Sequence, residues 1–116
     1  MLAVDGLPVL EDAFAGLMRD VVKLHGGQGG LMEASARLIA LAGRLQTVLR
    51  EVMETHGTGT FLLVARQEVH AVADHATWLE HRAESADRGE VLHRFTAAAS
   101  QGRTAVDVLQ RVRECA

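Results

Sequence analysis

Leu31-Met32-Glu33-Ala34-Ser35-Ala36-Arg37-Leu38-Ile39-Ala40-Leu41-Ala42-Gly43-Arg44-Leu45-Gln46-Thr47-Val48-Leu49-Arg50-Glu51-Val52-Met53-Glu54-Thr55-His56 decides how the chain folds. Within it Ala34, Leu38, Leu41, Leu45, Val48 and Val52 recur at steps of four and three, which places them on one face of a helix and on both faces of a strand. A second line, Met32, Ile39, Ala42, Leu49 and Met53, broadens that face beyond a simple coiled-coil seam. A stripe this wide suits a helix that touches two neighbours at once.

Outward from this segment the chain is punctuated by glycine. Gly26, Gly27, Gly29 and Gly30 precede it, and Gly57 and Gly59 follow it. On the N-terminal side Leu10, Phe14, Leu17, Val21 and Leu24 predict a helix over about 8–25. Pro8 fits its first turn, and Gly26 is expected to supply the left-handed residue that ends it. On the C-terminal side Leu62, Ala65, Val69, Val72, Ala76, Leu79 and Ala83 predict a third helix over about 60–85, with Thr58 or Thr60 as its N-cap. Asp87 with Glu90 three residues on has the form of a capping box. It opens a fourth helix over about 88–114 that carries Val91, Phe95, Ala98, Gly102, Ala105, Leu109 and Val112. The alanines and Gly102 on the last two helices predict that these two approach each other closely.

Short connections cannot carry the chain to a distant starting point, so consecutive helices are expected to pack side by side in opposite directions. The fold class that follows is all-α, an antiparallel (up-down-up-down) four-helix bundle forming one domain over 1–116. The 116 residues can enclose a single core, and a composition 48% hydrophobic and 23% charged is that of a globular chain.

The net charge is −3, with acids and bases interspersed and no basic stripe, so nucleic acid is not an expected partner. No apolar run approaches the length of a membrane span. The N-terminal Met1-Leu2-Ala3-Val4-Asp5 has no basic region followed by an apolar one, and Cys115 is the single cysteine. Both features lead to an expected cytoplasmic location, with leaderless secretion left open.

Six histidines carry most of the candidate chemistry. In an antiparallel bundle His25, His81 and His93 gather at one end with Glu90, and Glu90-Val91-Leu92-His93 has the one-turn Glu-x-x-His spacing of di-metal bundles. These four residues are the candidate ligands for zinc or iron. The plainer reading of His25 and His56 is charge on a helix end, since each is the last residue before a glycine. The gapped glycine clusters around them lack the Gly-Lys-Ser/Thr ending of a phosphate loop and read as turns.

Arg88-Gly89-Glu90-Val91-Leu92-His93 resembles the Arg-x4–6-His element of HEPN-type helical ribonucleases, which are four-helix proteins that dimerise to join two such motifs. The resemblance covers one segment at the start of the last helix. It implies a phosphate-orienting role for Arg88 and an acid or base role for His93.

Trp78 is the only tryptophan. By helical count it falls off the main seam, on a line with Val64, Ala71 and His75, where a large ring is suited to anchor an interface or, if the bundle is rotated, to cover the edge of its own core. The reading that follows is a non-enzymatic interaction protein: an adaptor, a chaperone or a small secreted or assembly partner. It would bind another protein or form a homo-oligomer through apolar helix faces, with Trp78, Ala71, His75, Ile39, Leu49 and Met53 as interface residues and with no cofactor.

Overall fold

A computed structural model of the chain describes residues 6–57 and 59–115. It contains four helices, α1 (Leu7–His25), α2 (Leu31–His56), α3 (Thr60–Arg82) and α4 (Arg88–Cys115), and no strand among the described residues. The molecule measures 42 × 24 × 22 Å. At about 1.5 Å per residue, the 28 residues of α4 run the full length of the long axis.

The helix boundaries follow local chemistry. Pro8 lies in the first turn of α1, where a missing N–H costs nothing. At the other end the left-handed residue is Gly27, with φ 80°, whereas Gly26 keeps φ −83°. The turn therefore closes one residue later than the sequence suggests, with the Gln28 N–H donating to the Lys23 carbonyl at 2.8 Å. Gly57 ends α2 as expected, at φ 78°. Gly59 precedes α3 in extended conformation without a side-chain cap; Thr60 is already helical, and the alternative cap Thr58 lies outside the described residues. The α3 helix stops at Arg82, three residues short of the expected end, and the Ala86 N–H bonds the Arg82 carbonyl to close a turn. Asp87 then caps α4, accepting the Gly89 N–H at 3.0 Å.

The faces read from the sequence are the faces that pack. Leu10, Phe14, Leu17, Val21 and Leu24 are buried, as are all the seam residues of α2 and α3. On α4, Val91, Phe95, Ala98, Ala105 and Leu109 are buried. Phe14 and Phe95 are the largest wholly buried side chains. The second line on α2 divides: Ala42 and Leu49 are buried, Ile39 and Met53 half-buried, and Met32 is 48% exposed.

α3 packs most extensively against α4; α2 packs on α3 and α1 on α4, α2 also meets α4, and α1 touches α2 least. Gly102 serves a different neighbour from the one its alanine-rich surroundings suggest. A Cβ built on it would overlap the Phe14 ring at Cε1, so its missing side chain admits α1, not α3. Helical periodicity tells which face turns inward, but not which neighbour that face meets.

Candidate functional site

The fold divides the candidate residues between two places. The first is the seam between α3 and α4. Trp78 is half-buried and rests on the core, and the guanidinium of Arg94 from α4 lies 4.8 Å from its ring centre. At that distance the cation interacts with the ring face. Helical count alone could not identify Arg94 as its cover, because the relative register of two helices is set by packing.

One turn back along α3, His75 is half-buried, with Nδ1 enclosed and no hydrogen-bond partner among the described residues. Burial lowers its pKa below the ordinary 6.5, and the positive charge of Arg94 and the nearby His93 press the same way against the opposing carboxylate of Asp74. The ring is thereby held towards its neutral form. Ala71 continues the line, also half-buried. Of the other interface candidates, Ile39 and Met53 are half-buried against the core. Leu49 is only 6% exposed, so its surface is already covered within the chain.

The second place is the end of the bundle where α1 stops and α4 begins. His25 is exposed, with Nε2 3.3 Å from Thr96 Oγ1. The Thr96 hydroxyl has one proton and donates it to the Leu92 carbonyl at 2.8 Å, so His25 is the donor of the pair. His81, Glu90 and His93 are exposed. Among the described residues, no three His, Cys, Asp or Glu side chains stand together as a metal-binding group, so His25, His81, Glu90 and His93 do not converge on a common point. His81, Glu90 and His93 stand on exposed helix surface outside the packed seams, and His25 turns to the Thr96 hydroxyl.

Arg88 and His93 are both exposed on the first turns of α4. Five residues apart on a helix, their side chains leave the axis roughly 140° from one another. Arg88 borders a shallow cleft of about 510 Å³ with Leu31, Met32 and Ala83, whereas His93 is on the α3 side.

A feature the sequence reading passed over is the apolar group at the start of α3. Phe61 is 65% exposed, and Leu63 and Val64 beside it are 48% and 41% exposed. Their run of three large apolar residues with Leu62 was the available signal, masked because Leu62 alone fits the seam. No helix among the described residues is long and apolar enough to cross a membrane. Compared with models of protein families, with curated proteins and with solved structures, the chain matches none.

Proposed function

We propose that the chain is a non-enzymatic helical-bundle interaction protein, an adaptor, chaperone or assembly partner, that binds another protein or a second copy of itself through an apolar helix face. The observation that carries this reading is the exposure of Phe61 and Val64, about 60° apart on the first turn of α3, with Leu63 exposed at the flank of that face. Large apolar side chains gain free energy when removed from water, and a Phe at the edge of a partly apolar line is a natural anchor. Val64 is the open end of the line that continues through Ala71, His75 and Trp78, so the surface grades from exposed at the start of α3 to covered by Arg94 further on.

In the same reading the four helices run alternately up and down. Five contacts support it: Trp78 late in α3 with Arg94 early in α4, Asp20 with Arg37, Gly6 near Arg44, His25 with Thr96, and Glu11 with Gln110. The last two join the end of α1 to the early part of α4 and the start of α1 to the late part of α4.

Trp78→Ala confounds folding with association, because the ring rests on the core and under Arg94. Phe61 separates the two. A photoreactive benzophenone side chain at position 61 is expected to give a discrete protein adduct in the source cells, and the same group at the exposed position 107 is expected to give none. Equal labelling at both positions, or no adduct at either, removes the assignment.

A further inference from the structure

We propose that the trough between α1 and α2 is a receptor for an acidic amphipathic helix of a partner protein. This site lies apart from the apolar group at the start of α3 and does not depend on it.

The bundle leaves α1 and α2 in slight contact, and between them runs an open trough of about 560 Å³. Its apolar lining combines the buried Leu17 and Leu41 with the half-buried Ala13 and Gly16 and the exposed Ala40, and the small residues among them allow another backbone to come close, since the distance between packed helices is set by the side chains at the contact. From Ala13 to Lys23 the α1 wall covers eleven residues, ten steps or roughly 15 Å at the helical rise, enough for about three turns of a guest helix. Beyond Lys23 and Arg37 the trough continues as a smaller hollow of about 190 Å³ that reaches Gly30.

The rim supplies the charge. Arg19 and Lys23 stand on α1, Arg37 and Arg44 on α2, and the carboxylate lining the main trough is that of Asp20. Arg37 meets Asp20 at 2.7 Å, whereas Arg19, Lys23 and Arg44 have no ion-pair partner among the described residues. Glu33 lines the smaller hollow, so four cations face two carboxylates over the whole length, a local reversal in a chain whose net charge is −3. Cations on two rims around an apolar lining of Ala, Gly and Leu complement a helix with alanine or leucine on one face and glutamate or aspartate along its flanks. No aromatic side chain lines the trough, so bases of a single-stranded nucleic acid would find no stacking platform, and a concave floor does not match a flat lipid surface.

The test uses the whole protein and a fluorescein-labelled helix of about three turns, Ala and Leu on one face and Glu on both flanks, read by anisotropy. Two counterparts accompany it: the same sequence with Lys for Glu, and the acidic one interrupted by proline. The acidic helix is expected to bind at least about tenfold more tightly than either, and to weaken as salt rises because the rim charges are exposed. Two variants probe the two halves of the site: Arg19→Glu with Arg44→Glu for the rim, and Gly16→Leu, which fills the floor. Each is expected to lower affinity by about tenfold or more while keeping the wild-type circular dichroism spectrum.

Binding of the lysine peptide as strong as that of the acidic one overturns the proposal. So does acidic-peptide binding that survives both variants. Preferential capture of anionic vesicles or single-stranded RNA, with no peptide bound, assigns the basic rim to another ligand and also overturns it.

Discussion

Two sides of this bundle are built on opposite terms. Where α4 lies, the seams are closed: Gly102 withholds a side chain so that the Phe14 ring of α1 can fill the space, and Arg94 covers Trp78 of α3. Where α1 faces α2, small residues leave a trough that is filled by neither helix, bordered by cations with a single pair between Asp20 and Arg37. Glycine appears on both sides with opposite meanings. Gly102 is small because something occupies its place; Gly16 is small beside open space, where an added Cβ would meet no more than Arg19 Nη2 at 3.6 Å. The same residue type therefore marks a packed point in one seam and an unfilled one in the other.

The sharpest way to break this contrast is at Phe14, which is wholly buried against Gly102. Phe14→Ala should cost about 3–5 kcal/mol, the range for removing a buried aromatic ring, measured from the urea midpoint at constant slope. A loss below about 1 kcal/mol would mean that the α1–α4 seam is not closed in solution. Gly102→Ala comes next. Its new methyl must displace the ring, an overpacking cost of about 1–3 kcal/mol, partly offset by the roughly 1 kcal/mol by which alanine favours a helix over glycine. If the two residues share one space, Gly102→Ala should cost less on a Phe14→Ala background than alone, and additivity would show that they do not.

On the open side the sign reverses. Gly16→Ala meets only an ordinary contact with a flexible guanidinium, so helix propensity alone should act, raising stability by about 0.5–1 kcal/mol. A destabilised Gly16→Ala would mean that the trough is narrower than described. Gly43 on α2, with nothing within 4 Å of its built Cβ, should behave as Gly16 does.

Much of this was legible from spacing. Leu10, Phe14, Leu17, Val21 and Leu24 were read as one face and are one buried face, because large apolar side chains at three- and four-residue steps can be satisfied only by being covered together. What spacing could not convey is pairing. The alanine-rich pattern around Gly102 suggests room for α3, and the room is filled by Phe14; the off-seam position of Trp78 allows an interface anchor or a cover for its own core, and the ring rests on the core under Arg94. Leu49 lies on the second line that widens the packing face of α2, and it is covered within the chain as that wide face implies, although it also stands among the expected interface residues. The trough rim was hidden for a related reason. Arg19 and Lys23 belong to one helix and Arg37 and Arg44 to another, and acids lie among them in the sequence, so their cluster exists only once α1 and α2 stand side by side.

The smallest effect tests the closed side by titration. His75 sits in the α3–α4 seam with its pKa lowered, chiefly by burial and then by Arg94 and His93, with Asp74 opposing. In the unfolded chain an ordinary imidazole takes up a proton near pH 6.5, before the folded one does, so protonation favours unfolding. The contribution is fully present above that pH. It is lost as the pH falls from there through the lower folded value, and the loss then levels off. Water screens a half-buried ring, which keeps the effect small. His75→Gln, neutral throughout, should lack this part of the decline, so the stability difference between wild type and variant should narrow or change sign between neutral and acidic pH. A difference that stays constant across that range would place His75 outside the closed seam, in contact with solvent like His81 and His93.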